Sequence, residues 1–481
     1  MIIMNTKVLT PSDENLKLAA DIIKNGGLVA FPTETVYGLG VNALLKDGAP
    51  KVYMAKGRPS DNPLIIHLAT PEDAEKYCFT NKTYYKIAEL FMPGPVTFIL
   101  PKKEIIPDCV TGGLDTVAVR IPSNPVANKL ISYSGVPIAA PSANLSGRPS
   151  TTTADHCIAD LFGKIDAIID GGECEIGLES TILTEKDGVL KLLRPGGVTV
   201  EMLENAGFSV SVDKAVLSKL SDNEKPLAPG MKYRHYAPKA RVYILKGTLL
   251  EVKEFLEKKK GFVGKIGVLC FDEMVNELSG LCETVSLGKM NCPEDAAKRL
   301  FSALRKMDEL GANLIFAPEI PEDGLWLAVK NRLYKAAGGS IIDVKNTKAL
   351  LFICMGNTCR SPMAEGIFAQ VNKNVIVSSA GLSAGGEGAN EKAILAAKKL
   401  GADISSHKSK TVRLEMLKAA DVVVTMTESI KAVLPFPEKT VTLYELAGES
   451  GDIADPYGQS QEVYDTCARE IKRLAEKSMK L

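Results

Sequence analysis

The chain of 481 residues is too long for one hydrophobic core, so two or three domains are expected. Its 58 Lys plus Arg balance 58 Asp plus Glu, which argues against a general nucleic-acid coat and gives no support to a membrane-surface role. Ten cysteines lie scattered without zinc-type spacing, the N-terminus lacks a signal-peptide pattern, and no apolar run approaches the ~20 residues that span a bilayer, so a reduced cytoplasm is the expected setting.

From residue 1 to about 220, short β-rich runs at 27–31, 116–121 and 136–140 alternate with helical patterns, a mixed α/β rhythm. No Gly-x-x-x-x-Gly-Lys-Ser/Thr loop occurs, and no Gly-x-Gly-x-x-Gly follows a strand, which speaks against a P-loop nucleotidase or an NAD enzyme. Three clusters stand out instead. Residues 31–40, Phe-Pro-Thr-Glu-Thr-Val-Tyr-Gly-Leu-Gly, leave a strand with hydroxyls and glycines. Residues 56–59, Lys-Gly-Arg-Pro, set two cations around a glycine, and Pro-Leu-Ile-Ile-His follows at 63–67. Residues 140–148 leave another strand as Ala-Pro-Ser-Ala-Asn-Leu-Ser-Gly-Arg. Cations and hydroxyls on loops at strand ends make an anion site that a nucleotide triphosphate fits.

With Lys56-x-Arg58 and Ser142-x-Asn144 in combination, this part of the chain resembles the threonylcarbamoyl-AMP synthase family. The resemblance implies a twisted mixed sheet with a large basic cavity. It implies synthesis of threonylcarbamoyl-adenylate and pyrophosphate from L-threonine, bicarbonate and ATP with Mg2+, the product passing to tRNA-modification proteins. On the same grounds Thr33, Arg58, His67, Arg120 and Ser180 surround threonine, with Arg58 and Arg120 on its carboxylate. Lys56, Ser60, Thr116, Ser142, Asn144, Arg194, Tyr233 and Tyr236 line the nucleotide. No stable nucleic-acid complex and no protein metal ligands are expected. The rival reading is an RNA-binding module, which the neutral chain does little to favour.

Residues 221–240 read as a linker, but Ala-Pro-Gly-Met-Lys-Tyr-Arg-His-Tyr-Ala-Pro at 228–238 is rich in aromatics and cations. It resembles the long-form linker of that family, which implies that Tyr233, His235 and Tyr236 cap the adenylate and exclude water from a labile anhydride. Residues 241–340 carry strand runs at 241–245, 265–271 and 313–317, with a helical pattern at 325–337. They predict a small doubly wound, Rossmann-like accessory domain, to which no chemistry is assigned. Residues 338–348 read as a second hinge.

From 347 to 481 the α/β alternation returns, with buried-type strands at 348–353, 375–379 and 421–425. Residues 354–361 read Cys-Met-Gly-Asn-Thr-Cys-Arg-Ser. A strand that empties into such a loop and then a helix aims backbone N–H groups at one point, where a phosphate dianion is bound and a thiolate stabilised. Asp455, held before Pro456 in a turn, is a candidate acid for the leaving group. This region resembles the low-molecular-weight protein tyrosine phosphatases over its whole length, a doubly wound parallel-sheet fold. The resemblance implies Cys354 as nucleophile, Arg360 as bidentate phosphate clamp and Asp455 as general acid. It implies Ser361 as a hydroxyl holding the thiolate, Asn357 as a loop brace and Cys359 as a second loop thiol, with phosphorylated proteins as substrates and no cofactor. Thr358, where tyrosine-specific members carry an aliphatic residue, resembles the subgroup acting on phosphoarginine. Tyrosine phosphatase and arsenate reductase remain the alternatives, the latter poorly supplied with relay thiols because only Cys467 lies downstream.

Overall fold

Apolar strands separated by amphipathic helices assemble here into three sheets. The structure, a computed structural model, describes residues 4–217 and 236–478. The first sheet has eleven strands among the described residues. In spatial order they are Lys7–Leu9, Ala167–Ile169, Val29–Phe31, Gly38–Asn42, Ile138–Ala140, Ile65–His67, Thr116–Arg120, Val96–Pro101, Thr181–Lys186, Val189–Arg194 and Val210–Val212. Parallel and antiparallel pairings are mixed.

Several of these strands place the site. Ile65–His67 runs parallel to Thr116–Arg120 in a register that sets His67 beside Arg120. The strand Ile138–Ala140 pairs with Gly38–Asn42, and a further bridge joins Gly38 to Ser142. Gly38 and Gly40, which in sequence suggest a loop, lie in a buried strand. A Cβ at Gly40 would stand 2.8 Å from both the Phe31 ring and Ile138, so the glycines allow close sheet packing. The helix Gly48–Lys56 ends at Gly57 in the left-handed conformation, which turns Lys56 back towards Ser142.

The second sheet is all parallel: Glu283–Ser286, Ile266–Cys270, Leu314–Pro318, Arg241–Lys246 and Ile341–Asp343. Its last strand lies beyond residue 340, inside the segment expected to be a hinge. Ile342 is fully buried there, and apolar contacts run on through Phe255 and Phe262 to Leu351, Ile353 and Leu417. The second and third sheets therefore share one apolar cluster, and 338–348 includes a core strand. Lys259 adds an ion pair to Asp421 across this boundary (2.5 Å), and Asp421 also accepts from the Ala349 amide (2.7 Å).

The third sheet has four parallel strands, Ile376–Gly381, Ala349–Cys354, Val422–Thr425 and Thr440–Thr442. Cys354 closes its strand, and the helix Arg360–Val371 begins six residues later.

The first and second domains also share an apolar cluster, Val36 and Leu178 with Leu300 and Phe301, and add buried ion pairs. Arg332, on the helix Trp326–Ala336, is fully buried and donates to Glu179 (3.0 Å) and to the carbonyls of Glu179 and Pro195. Arg305, on the helix Pro293–Glu309, pairs with buried Asp160 (2.9 Å). Gly177 lets that helix approach closely, since a Cβ there would lie 2.5 Å from the Lys298 Cα.

Candidate functional sites

A cleft opens where the first sheet's central strands end. Thr33, Lys56, Arg58, His67, Arg120, Ser142, Asn144, Arg194 and Tyr236 all line it, so most of the expected residues are brought together. Arg120 pairs with Glu34 (2.7 Å), and both are almost completely buried. The Thr33 hydroxyl lies at the limit of hydrogen bonding from the same guanidinium (3.5 Å). His67 sits beneath Arg120 with Nδ1 3.3 Å from the Ile138 carbonyl. Burial, and then Arg120, pushes the His67 pKa down to about 3, so the ring is neutral at ordinary pH.

Further cations line the same cleft. Lys56 Nζ donates to the carbonyls of Ser142 and Asn144 (2.6 Å to the latter). Burial, with Arg58 next, holds its pKa well below the usual lysine range. The Ser142 hydroxyl donates to Asn144 Oδ1 (2.5 Å), and Asn144 Nδ2 donates to the Leu145 and Arg148 carbonyls, which fixes the 142–148 loop. Arg194, whose pKa burial lowers to about 10, donates to the Ser180 carbonyl and hydroxyl. Tyr236 has a left-handed backbone, packs its ring on Phe301 and lines the cleft from the second domain's side. Burial and then Glu179 push its phenol up to about 12.

Three expected residues stand elsewhere. Ser60 is exposed on the turn after Gly57 and does not line the cleft. Thr116 begins the strand that Arg120 ends, roughly 13 Å away at ~3.3 Å per residue, and is also outside the lining. Ser180 is fully buried behind Arg194 and bonds Thr97 (2.7 Å), so it supports the wall without lining it. Tyr233 and His235 lie outside the described residues.

Sequence reasoning missed three groups. Glu34 lies within the 31–40 cluster, and Glu179 immediately precedes Ser180. Arg332 comes from the second domain. Burial works to raise the Glu179 pKa, but Arg332 and Arg194 outweigh it and hold the carboxyl below its ordinary range. Glu179 in the cleft wall and Glu34 beside Arg120 are thus both engaged by guanidinium groups. Among the described residues no cluster of three His, Cys, Asp or Glu exists that would hold a metal ion.

In the third domain the residues 354–361 curl around the Cys354 sulfur. Cys354 Sγ lies 3.0 Å from Ser361 Oγ and accepts from the Asn357 amide (3.2 Å). Asn357 adopts the left-handed region (φ 53°) and is fully buried. Its Nδ2 donates to Ser361 and Ser379 (both 2.9 Å), its Oδ1 accepts from the Lys410 amide (3.0 Å), and His407 Nε2 lies 2.9 Å from its carbonyl oxygen. His407 is therefore a loop brace. Gly381 leaves room for the loop, since a Cβ there would stand 2.6 Å from the Met355 carbonyl oxygen. Arg360 donates to the Ile453 carbonyl (3.2 Å) and pairs with Asp455 (2.5 Å), which is half-exposed at the loop mouth. Asp455 Oδ1 accepts from the Tyr457 amide, which fixes the turn. Thr358 is half-buried on the loop wall, and Cys359 Sγ lies 3.4 Å from the Tyr464 hydroxyl. Cys467 is buried, and burial pushes its thiol up to about 12.

Three family models match consecutive stretches: telomere recombination over residues 21–196, threonylcarbamoyl-AMP synthase C-terminal domain over 198–338, and low molecular weight phosphotyrosine protein phosphatase over 349–480. The chain is 46% identical over 347 residues to the threonylcarbamoyl-AMP synthase of Pyrococcus abyssi, covering 68% of this chain and 96% of that protein. The crystal structure of P. abyssi Sua5 complexed with L-threonine matches with a TM-score of 0.66 and 44% identity, over 70% of this chain and 99% of that one. The C-terminal part is 42% identical to a low molecular weight protein tyrosine phosphatase from T. tengcongensis, over 28% of this chain and 98% of that chain (TM-score 0.27). It is 37% identical to the YwlE arginine phosphatase from Geobacillus stearothermophilus, over 28% of this chain and 92% of that chain (TM-score 0.26). The chain belongs to the threonylcarbamoyl-AMP synthase family and carries, fused behind the synthase and its C-terminal domain, a low molecular weight phosphotyrosine protein phosphatase domain.

Proposed function

We propose that the protein is bifunctional, making threonylcarbamoyl-adenylate in the first cleft for tRNA modification and removing phosphate from protein arginine at the Cys354 loop. For the synthase, the carrying observation is one cleft lined by Thr33, Lys56, His67, Arg120, Ser142 and Arg194 together. The relative solved with L-threonine supports threonine as the occupant of such a cleft. Threonine and bicarbonate condense to a carbamate with loss of water. A carbamate oxygen attacks the α-phosphorus of ATP, and pyrophosphate leaves. Arg120 and Arg58 hold the amino-acid carboxylate, and neutral His67 takes no proton. Lys56, Arg58 and Arg194 offset the phosphate charge, and positioning supplies most of the rate. Magnesium enters with the triphosphate as part of the substrate. Lys56→Ala abolishes threonine- and bicarbonate-dependent release of pyrophosphate from ATP; unchanged release overturns the assignment.

For the phosphatase, the carrying observation is the Cys354 sulfur among Ser361, the Asn357 amide and the nearby Arg360–Asp455 pair. Cys354 attacks phosphorus, Arg360 exchanges Asp455 for the phosphate dianion, and Asp455 protonates the leaving nitrogen. Asp455 then activates the water that breaks the phosphocysteine. Thr358 puts a polar β-branched group on the wall where the leaving group sits, which favours a guanidino group. Phosphotyrosine is the second reading, favoured by the match to the low molecular weight phosphotyrosine protein phosphatase model. The buried, high-pKa Cys467 disfavours a reductase relay. Turnover of phosphoarginine and phosphotyrosine by the parent and Thr358→Ile decides. The parent prefers phosphoarginine, and Thr358→Ile shifts the ratio towards tyrosine; an equal or greater parental rate on phosphotyrosine overturns the arginine reading.

A further inference from the structure

A second, wider cleft of about 710 Å3 lies where the three domains meet. The synthase contributes Ser146 to Arg148, which also line the first cleft, so the two clefts share a wall. The accessory side contributes Lys239 and Arg241, and the phosphatase contributes its 403–410 loop, ending Ser-Ser-His-Lys-Ser-Lys. Five fixed cations (Arg148, Lys239, Arg241, Lys408 and Lys410) face two carboxylates, Glu365 and Asp403. Glu365 is engaged by the Ser379 hydroxyl (2.7 Å), and Arg148 by Asp160 (2.7 Å). Lys410 and Arg241 lower the Glu365 pKa by their charge, whereas Lys408 is exposed.

Two buried hydroxyls give the second observation. Ser378 and Ser409 line this cleft at 1% and 4% exposure, and their side-chain oxygens have no hydrogen-bond partner. Buried hydroxyls are normally satisfied, because leaving one unpaired forfeits its hydration. Hydroxyls beside cations suit phosphate oxygens, and the single Glu365 carboxylate offsets only part of the charge of Lys410 and Arg241. Val263, Leu314 and Ile404 add an apolar stretch of wall against which an organic group packs.

We propose that this interdomain cleft binds a small organic phosphate of mononucleotide size, its phosphate on the Lys408–Lys410 loop and Arg241, its organic part against the apolar wall. The site is distinct from both reaction centres and does not depend on the substrates assigned to them. Its floor abuts the phosphatase loop, because Lys410 donates its amide to Asn357 and Glu365 accepts from Ser379, which bonds Asn357.

The test is calorimetric titration of the full chain with AMP, tungstate present to fill the phosphatase loop. The parent binds AMP at two sites, and Lys56→Ala retains the interdomain one. The double variant Lys239→Glu/Lys408→Glu changes two exposed lysines, so it folds and keeps its pyrophosphate release. It binds at that site roughly tenfold more weakly or not at all, because two cations become repulsive. A single parental site, or two sites indifferent to the double charge reversal, overturns the proposal. So does an RNA stem-loop whose binding the reversal abolishes while AMP binding is unchanged, which assigns the cleft to RNA.

Discussion

The two oxyanion sites are built in opposite ways. The phosphatase loop is eight consecutive residues braced by Asn357, whereas the synthase cleft draws on the segments near 33, 56–67, 120, 142–148 and 194 and is backed by an arginine from the next domain. The contiguous site takes its main groups from one strand, loop and helix, with braces from Ser379, His407 and Lys410 and its acid from Asp455. A distributed site is as rigid as the packing that brings its pieces together, here buried ion pairs through Arg332 and Arg305.

Substitutions can break this contrast, beginning with the largest effect. Arg360→Ala removes the clamp from the contiguous site and is expected to lower phosphatase turnover by about three orders of magnitude, with pyrophosphate release unchanged. Steady-state assays of both activities on one preparation check it. Arg332→Ala leaves Glu179 buried without its main partner. It is expected to destabilise the synthase part by about 3–5 kcal/mol and to reduce synthesis, measured by denaturant unfolding and pyrophosphate release. Phosphatase turnover stays at the parental level.

A pH series sharpens the contrast. Burial and then neighbouring arginines lower His67 to about 3 and His156 to about 4, against a model-peptide 6.5. Between those values and pH 6.5 the unfolded chain binds protons that the folded chain does not. Stability is therefore full above pH 6.5 and falls on acidification, by about 2 kcal/mol for His67 at pH 5. Melting curves from pH 7 to 5 show the loss, and His67→Gln reduces it, leaving the part that His156 contributes. The smallest effect is Gly177→Ala. Its left-handed backbone and the 2.5 Å approach to Lys298 predict a loss of roughly 1–2 kcal/mol, read as a lowered midpoint for the synthase part.

The contrast also explains what the sequence makes legible. Cys354 to Ser361 and Asp455 could be read residue by residue, because their spacing already states the geometry. In the synthase, the cations and hydroxyls at strand ends were readable, but Arg332 was not. It is one of many helical arginines, and only tertiary placement marks it. Glu34 stood inside a quoted cluster, yet its pairing with Arg120 depends on strand register 86 residues away. Ser60 and Thr116 were carried by resemblance, and neither lines the cleft. The strand Gly38–Asn42 was hidden by its glycines, whose purpose is contact with Phe31. The supposed hinge at 338–348 held a core strand because two isoleucines there face partners 100 residues upstream in Arg241–Lys246, a long-range pairing that local glycines mask.

The most direct test of two independent sites in one polypeptide is a paired assay of full-length Lys56→Ala and Cys354→Ser. Each preparation is scored for threonine- and bicarbonate-dependent pyrophosphate release and for phosphate release from phosphoarginine peptide. Lys56→Ala is predicted to lose only the first, and Cys354→Ser only the second. Loss of both activities from either substitution, or retention of phosphate release by Cys354→Ser, would contradict the account.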